Sequence, residues 1–543
     1  MDNSFNSSTD KSISSTWKTA DWRTDIVAGF LVFLIALPLS LGVAVASGFP
    51  PMAGIISAII GGLLVSRING SSLTIVGPAA GLIVVIFASV QNLGSGDMLA
   101  GYRYTLAAIV ISGLLQIVLG HFKAGRLAVF FPASVVHGML AAIGIIIMTK
   151  QLPVMLGLQV ETTGNMLRAI LQLLHVQAFF VPKIALIALF ALCILIGWPS
   201  LQHPVLKKVP APLLVIMLGI GLGYLFDLQH FHPETLFNLP ETININGPFL
   251  ITMPDNLAAS IFFPDFSKVS SASFWESVIS ICLVGSLETL LSSAAVDKLD
   301  PEKRYSDLNK DLQAIGIGNT LSGMIGGLPM IAEIVRSSAN IDYGAKSGWS
   351  NFWHGGFLLL FVLLFPQIID SIPLASLAAL LVYIGFRLAS PQAFAKTLDL
   401  GKEQLYIFVV TIVSVLATNL LLGVMLGIAA KLLIHAVRGV PLKNVLSISY
   451  HIHHEHDHGY RIKVDGSAIF SNFIALKSEL AMLPKGGFIV FDLADVYLID
   501  HTVMEFIHAY KKDYIEHGGR CEVHGLSEHA AASGHRLAAR IKQ

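Results

Sequence analysis

The chain has 543 residues, of which 54% are hydrophobic and only 13% are charged. An ordinary soluble domain carries about 25% charged residues, so this composition excludes a fully water-soluble protein and indicates that most of the chain lies in a lipid bilayer. The 35 basic residues balance the 35 acidic residues, and no basic surface for a nucleic-acid partner is indicated. The three cysteines are scattered, without a spacing typical of a disulfide framework or a structural zinc site.

Apolar segments dominate the chain from residue 23 to residue 437, after a polar, Ser-rich N-terminal segment at 1–22. A membrane-crossing helix needs roughly 20 apolar residues. Long runs occur near 26–46, 104–121, 128–149, 179–198, 211–226, 274–296, 354–370, 404–419 and 420–437. Shorter runs, interrupted by Gly or Pro, occur near 52–66, 73–91, 313–328, 329–341 and 374–388. The sequence therefore predicts an α-helical polytopic membrane protein with about 14 crossings or half-crossings.

The distribution of basic residues predicts the topology of these segments. Lys and Arg are concentrated in 201–209, 298–310 and 387–402, whereas the long polar segment 228–271 contains only Lys268. Cytoplasmic loops carry the excess of basic residues. We therefore expect the first three segments inside the cell, 228–271 outside, and both termini in the cytoplasm of a cell whose inner membrane holds the protein.

Two segments, 71–81 and 326–338, depart from the pattern of a plain lipid-facing helix because Gly and Pro interrupt them. Each is the third crossing of its half if the chain is divided at 228–271 into seven plus seven. Broken helices at matching positions are typical of inverted-repeat transporters with a site at the membrane midplane. Helix starts at that depth present unpaired N–H groups and a positive dipole end, so two of them favour an anion. The alternative is that Gly-Pro only kinks each helix.

Ionisable residues at membrane depth are costly and usually functional. Glu288 shares a helical face with Ser292, which makes it a candidate for carrying a proton or, together with Ser292, for binding sodium. Glu333 and Arg336 are three residues apart, which allows a salt bridge, and Arg336 offers positive potential to an anion. Three structural alternatives remain. Glu288 only hydrogen-bonds a neighbouring helix, Glu333 and Arg336 only neutralise each other, or Arg336 snorkels to the cytoplasmic edge.

The chain changes character after residue 437, since 24 of its 70 charges lie in residues 438–543. Residues 488–493 predict a buried strand, and 502–516 predict an amphipathic helix. We therefore expect a small α/β domain at 460–543, preceded by a linker at 438–459. That linker contains five histidines, at positions 451, 453, 454, 456 and 458. Such a tract either binds metal or is a solvated segment with pH-sensitive charge.

Several short motifs, taken in chain order, resemble the sulfate permease family, the bacterial relatives of solute-carrier family 26. They are Asp25–Gly29 with Leu37–Pro38, Gly77–Ala80, Phe131–Pro132, Gln151–Pro153, Gly285–Ser293, Gly316–Asn319, and Gly326–Pro329 with Arg336–Ser337. The resemblance implies a 7+7 inverted-repeat domain, usually dimeric, that moves small anions such as sulfate, bicarbonate, chloride, oxalate or dicarboxylates.

The resemblance also implies where the anion binds, namely between the third and tenth crossings. The corresponding residues here are Gly77, Pro78, Ala79, Ala80, Ala332, Glu333, Ile334 and Arg336. Sodium-coupled bicarbonate members carry Asp and Thr at the positions of Glu288 and Ser292, whereas proton-coupled members tend to carry Glu, so the coupling ion predicted for Glu288 is a proton before sodium. Ala79 departs from the family, in which many members have a Thr after Gly-Pro, and it leaves binding to backbone N–H groups.

The segment 492–502 resembles the central motif of a STAS domain, the sulfate transporter and anti-sigma antagonist domain. In soluble relatives a phosphorylatable Ser follows the Asp that matches Asp500, but His501 stands there in this chain. The resemblance implies a cytoplasmic module that binds a partner or regulates transport. The alternative is a domain that only stabilises the dimer.

We therefore expect a secondary-active transporter of a small inorganic anion, of the sulfate or bicarbonate class, coupled to protons or sodium. It is expected to be a homodimer without a cofactor or a bound metal. No nucleophile–base arrangement or cofactor loop indicates an enzyme. The alternatives are an uncoupled anion exchanger or channel, a dicarboxylate transporter, and a membrane sensor that signals through the STAS domain without transport.

Overall fold

The computed structural model describes residues 22–125, 132–158, 181–201, 209–228, 249–253, 257–455, 459–480, 482–484, 487–516 and 518–543. The chain divides into two compact units. Unit 1 comprises residues 1–125 and 143–387, and unit 2 comprises residues 126–142 and 388–543. The basic residues Lys207 and Lys208, used above for the topology, lie outside the described residues, as do residues 1–21 and most of 228–256.

Helices account for nearly all of the described chain up to residue 437. The first half contains α1 Trp22–Ala46, α2 Pro51–Ile68, α3 Ile83–Gly94, α4 Met98–His121, α5 Ala133–Met155, α6 Pro182–Gly197 and α7 Ala211–Leu225. The second half contains α8 Ala272–Leu299, α9 Leu308–Met324, α10 Ile334–Asp342, α11 Trp349–Leu364, the short α12 Pro366–Asp370, α13 Leu374–Leu388, α14 Pro391–Leu400, α15 Lys402–Ala417 and α16 Leu420–Val437.

Eight of the described helices are long and apolar enough to cross a membrane, and three shorter apolar helices accompany them. Each half has two helices, then a short strand that leads into a short helix, and then further helices. This order agrees with the predicted seven-plus-seven organisation, although the number of crossings stays a prediction. Close packing of the helices relies on glycine, because a Cβ added to Gly62 would lie 2.5 Å from the Cα of Gly355.

Unit 2 ends in a seven-stranded sheet. Its strands are β3 Ser449–Glu455, β4 Gly459–Ala468, β5 Phe488–Asp492, β6 Val496–Ile499, β7 Arg520–His524, β8 His529–Ala531 and β9 Arg540–Lys542, in the order β7-β5-β4-β6-β9-β8 with β3 beside β4. The described helices of this C-terminal part are α17 Leu442–Leu446, α18 Ile474–Leu480 and α19 His501–Glu516. The strand predicted at 488–493 and the helix predicted at 502–516 are confirmed, and Val503 and Ile507 are buried on the predicted face of α19.

The predicted linker at 438–459 is wrong for its second half. Residues 449–455 form β3, which pairs antiparallel with β4 from Ser449↔Asp465 to Glu455↔Gly459. The sequence did not predict this strand because its alternation of polar and apolar side chains is short. His451 and His453 are exposed on either side of half-buried Ile452, and an alternation of this length is a weak signal for a strand. Within the described residues no group of three metal-ligating side chains is present, and His456 and His458 lie outside them.

A buried ion pair joins the last membrane helix to the sheet domain within unit 2. Lys431 on α16 is fully buried, and its Nζ lies 3.2 Å from Oδ2 of Asp500 and donates to Oγ1 of Thr502 at 3.3 Å. Asp500 also accepts the backbone N–H of Val503 at 2.8 Å and that of Phe470 at 2.9 Å. The STAS-like motif is therefore covered by α16 at the start of α19.

The charge of Asp500 depends on this surrounding. Burial by itself raises the pKa of the Asp500 carboxyl, but Lys431, His435 and two backbone N–H donors outweigh burial and hold the pKa below its usual range. A carboxyl whose pKa is lowered by folding stabilises the protein at neutral pH. This contribution is lost only as the pH falls through the folded-state pKa.

We expect Asp500→Asn to destabilise unit 2, because it leaves the ammonium of Lys431 buried without a countercharge. Breaking a buried pair in this way costs about 3–5 kcal/mol in the free energy of unfolding. The matched control is Asp495→Asn, which removes an exposed partner of Lys463 at 2.8 Å and should change little. Thermal unfolding of the full-length protein in detergent at pH 7 measures both variants. Equal melting temperatures for the two variants would contradict the prediction.

Candidate functional site

The two interrupted segments of unit 1 meet as a pair of short strands. β1 Ile75–Pro78 pairs antiparallel with β2 Met330–Glu333, and the register runs from Ile75↔Glu333 to Pro78↔Met330. After β1 a 3-10 turn at Ala80–Leu82 leads into α3, and after β2 the chain enters α10 at Ile334. Because the strands are antiparallel, the two helices leave the sheet in opposite directions, and both point their N-terminal ends at it. The predicted half-helices are confirmed, and the alternative of a simple kink is wrong.

Both helix starts lack a capping side chain. Ala79 precedes the turn into α3, Glu333 precedes α10, and neither side chain accepts a hydrogen bond from the first turn. The N–H groups of a first helical turn have no partner within the helix, and they carry the positive end of the helix dipole. The arrangement therefore presents two sources of positive potential, on either side of the strand pair, to an anion at this place.

Arg336 reaches from the first turn of α10 to the opposite strand. It is fully buried, its Nε lies 3.0 Å from Oε2 of Glu333, and its Nη2 donates to the carbonyl oxygen of Pro78 at 3.4 Å. The predicted Glu333–Arg336 salt bridge is confirmed, and the alternative that Arg336 snorkels to the membrane edge is wrong. The Nη1 group has no hydrogen-bond partner and faces Gly77, where an added Cβ would lie 2.5 Å from it.

Glu288 lies on α8, opposite the start of the other half-helix. Its side chain is 7% exposed, and a Cβ added to Gly81 would overlap the Glu288 carboxylate. Its Oε1 has no hydrogen-bond partner. Ser292 follows one helical turn later on α8 and is half-buried. A buried carboxyl oxygen without a partner has an open place for a proton or another cation.

The remaining predicted residues contribute mainly backbone. Ala332 pairs with Val76 inside the strand pair, and Ala79 is buried at the end of β1. Ile334 contributes the first residue of α10, but its side chain is 41% exposed. The charged side chains that the structure brings to this place are therefore those of Arg336, Glu333 and Glu288.

A polar network that the sequence did not reveal supports β2 from behind. The backbone N–H of Met330 donates to Oδ1 of Asn319 at 2.6 Å, and Nδ2 of Asn319 donates to Oε1 of Gln116 at 2.8 Å. Nε2 of Gln116 donates in turn to Oγ of Ser286 at 3.3 Å. The network joins α4, α8, α9 and β2. Asn319 and Ser286 lie in two of the short motifs quoted above, but Gln116 is a lone Gln in the apolar run 104–121 and nothing in the sequence joins the three residues.

A second support ties the start of α10 to β1. Ser337 donates its hydroxyl to the carbonyl oxygen of Glu333 at 2.5 Å and accepts the backbone N–H of Ile75 at 2.8 Å. Asn340, one turn later, donates to the carbonyl oxygen of Leu73 at 3.0 Å. These bonds tether α10 to β1 and the segment before it, at the residue that follows Arg336 and again one turn later.

The charges of the site do not sum to zero. The site contains one guanidinium, that of Arg336, and two carboxyl groups, those of Glu333 and Glu288, so it carries a net negative charge when both carboxyls are ionised. A proton or another cation on one carboxyl would weaken the repulsion between this net charge and an anion. The unpaired Nη1 group of Arg336 and the two helix starts can donate hydrogen bonds to an anion, and the unpaired Oε1 of Glu288 can accept a proton or another cation.

Comparison with known proteins identifies the family and agrees with the fold. A family model described as the sulfate permease family matches residues 22–411. The bicarbonate transporter BicA of Synechocystis sp. is 26% identical over 487 residues, which cover 87% of this chain and 82% of that protein. Among solved structures, the transmembrane domain of a cyanobacterium BicA has a TM-score of 0.61 at 23% identity, over 76% of this chain and 97% of that chain. The murine solute carrier 26 family member A9 anion transporter has a TM-score of 0.66 at 14% identity, over 96% and 90%.

We expect Gly81→Ala to lower anion uptake at subsaturating anion concentration by about tenfold or more. A loss of about 1.4 kcal/mol in the free energy of anion binding corresponds to a tenfold loss of affinity. The added methyl would occupy the place of the Glu288 carboxylate at the start of α3. The control is Gly221→Ala on α7, where an added Cβ meets open space. Both variants are reconstituted at equal protein content, and uptake into proteoliposomes is measured. Uptake by Gly81→Ala equal to that of the unmodified protein would show that transport does not require the Glu288 carboxylate at the start of α3.

Proposed function

The chain belongs to the sulfate permease family, and from that premise we propose that it is a secondary-active carrier of a small oxyanion. The proposed substrates are sulfate or bicarbonate, the proposed location is the inner membrane, and the coupled ion is a proton. The observation that carries this proposal is the buried constellation of Arg336, Glu333 and Glu288 beside two uncapped helix starts.

Anion binding rests on the helix starts and the guanidinium. The Nη1 group of Arg336 is buried without a partner, and an unsatisfied buried donor costs about 1–3 kcal/mol, which an anion oxygen would remove by accepting from it. The N–H groups at the starts of α3 and α10 add donors that need no side chain. An oxyanion suits this set better than a halide, because several oxygens can accept from donors in different directions.

Coupling rests on Glu288. Its carboxyl lies at the start of α3, where the substrate anion would also be attracted, so an ionised Glu288 and an anion repel each other. A proton on Glu288 removes this repulsion. A monovalent anion then replaces the lost carboxylate charge, so that the net charge of the loaded site equals that of the empty site with Glu288 ionised. Movement of the site through the membrane is then favoured with anion and proton together.

A proton fits Glu288 better than sodium. A proton needs one carboxyl oxygen, and Oε1 has no other partner. A hard metal cation needs several oxygen ligands at once. Ser292 offers one more oxygen a helical turn away. Uptake that depends on sodium would therefore identify sodium, not a proton, as the coupled ion.

The C-terminal domain is proposed to be a cytoplasmic STAS domain, and the carrier is proposed to be a homodimer. The parallel pairs β4–β5, β5–β7 and β4–β6, with α18 and α19, support an α/β domain of this kind. Since Lys431 covers Asp500 and Thr502, a stabilising role is favoured over partner binding at the start of α19.

The Glu288→Gln variant tests the coupling. We expect uptake by the unmodified protein to rise as the external pH falls, and uptake by Glu288→Gln to lose this pH dependence, because Gln cannot release a proton. The control is Glu276→Gln, an exposed carboxyl on the same helix. Uptake of labelled sulfate and bicarbonate into proteoliposomes is measured from pH 5.5 to 8.5, with and without sodium.

Three results would contradict the proposal in different ways. An unchanged pH profile in Glu288→Gln removes Glu288 from coupling. Uptake that follows sodium but not pH identifies sodium as the coupled ion. Anion flux in the unmodified protein without either gradient identifies an uncoupled exchanger or channel.

A further inference from the structure

We propose that Lys150 forms a second anion-attracting position, on the outward side of the half-helix site, where a small anion is held before it reaches Arg336. This inference rests on the proposed function, because it concerns the path of the same anion. It differs from the site above in using a side chain of α5.

The surroundings of Lys150 are unusual for a charged residue in a membrane helix. It lies on α5, five residues before the helix ends at Met155, and it is half-buried. Its Nζ lies 3.2 Å from the centroid of the Phe87 ring. Among the residues that the structure describes, no carboxylate pairs with it, and this distinguishes it from Arg336 and Lys431, which have Glu333 and Asp500.

The missing countercharge has an energetic consequence. A charged side chain at membrane depth is costly unless it has a partner, and such residues mark ion pathways. A desolvated cation over an aromatic face gains about 2 kcal/mol, which offsets only part of that cost. The positive potential of Lys150 is therefore left largely uncancelled, and a mobile anion is the partner that would cancel it.

The position of Phe87 places Lys150 relative to the half-helix site. Phe87 is the fifth residue of α3, about 6 Å along the helix from its start at Ile83. The helices α3 and α5 are the third and fifth segments of the chain, so they cross the membrane in the same direction. With a cytoplasmic N-terminus their C-terminal ends lie outside, and Lys150 lies between the outer surface and the start of α3.

The ammonium of lysine acts as a point charge rather than as a shaped fork. Recognition at Lys150 is therefore expected to depend on the charge of the anion and little on its shape. Small anions of different geometry would all be attracted, and a divalent anion would gain about twice the electrostatic free energy of a monovalent one. Final selection would occur at Arg336 and the helix starts.

Three variants separate charge from packing. Lys150→Met keeps a long side chain against Phe87 without the charge, Lys150→Arg keeps the charge, and Lys268→Met removes an exposed lysine that also lies over an aromatic ring, that of Tyr104. The half-saturating external concentrations of labelled sulfate and bicarbonate are measured in proteoliposomes at low ionic strength.

Lys150→Met is expected to raise the half-saturating concentration of sulfate about tenfold and that of bicarbonate about threefold, since the lost free energy scales with the anion charge. Lys150→Arg and Lys268→Met are expected to stay within about twofold, and added salt should shrink the effect. Equal half-saturation in Lys150→Met and the unmodified protein would overturn the proposal. An equal loss in Lys150→Met and Lys150→Arg would also overturn it, because packing rather than charge would then matter.

Chemical modification of Lys150→Cys changes the charge at this position within one folded protein, so that separately folded variants need not be compared. External aminoethyl methanethiosulfonate, which adds a positive group, is expected to restore the half-saturation, whereas the sulfonatoethyl reagent, which adds a negative group, should worsen it. The unmodified protein with its three native cysteines is the control. An identical effect of both reagents would overturn the proposal.

Failure of the proposed function gives a different pattern. Sulfate binding to the purified unmodified protein and to Lys150→Met is measured by calorimetry alongside uptake. Binding that weakens in Lys150→Met without any uptake supports the Lys150 position and contradicts the carrier. Binding that is equal in both proteins contradicts the Lys150 position whether or not uptake occurs.

Discussion

Two helices that begin in the middle of the membrane are the constraint on which the rest of this protein depends. Backbone polar groups in lipid must find partners within the protein, and irregular backbone is tolerated only where protein or a cavity surrounds it. Pairing between β1 and β2 provides hydrogen-bond partners for the backbone of the two strands that precede the helices. The first turns of α3 and α10 keep unpaired N–H groups. The polar network through Gln116 and Asn319, with the hydroxyl of Ser337, holds both strands in place.

The buried charges of the protein differ in whether an opposite charge lies beside them. Arg336 forms a salt bridge with Glu333, and Lys431 forms one with Asp500, so each of these cations has a carboxylate partner within the protein. Glu288 and Lys150 lack such partners among the described residues. Glu288 lies against Gly81, just before α3, and Lys150 lies over Phe87 in the second turn of the same helix.

The sequence predicted the parts that repeat or that stand out chemically. The two Gly-Pro interruptions, the Glu333–Arg336 spacing and the core strand at 488–492 each have a strong local signal, and the structure confirms them. Strand β3 was missed because histidines occupy its exposed positions, and the β1–β2 pairing was missed because strands of four residues leave no periodicity. The Phe87 contact of Lys150 joins distant segments, and a single sequence carries no signal for such a contact.

We propose that the anion lies between the strand pair and the two helix starts, against the unpaired Nη1 group of Arg336. A density map of the protein, determined with its transported anion at saturating concentration, would locate the anion. We expect a compact feature within hydrogen-bond reach of Arg336 and of the first turn of α3, beside the Glu288 carboxyl. A map in which the anion lies away from Arg336 and from this turn would show that the anion binds elsewhere.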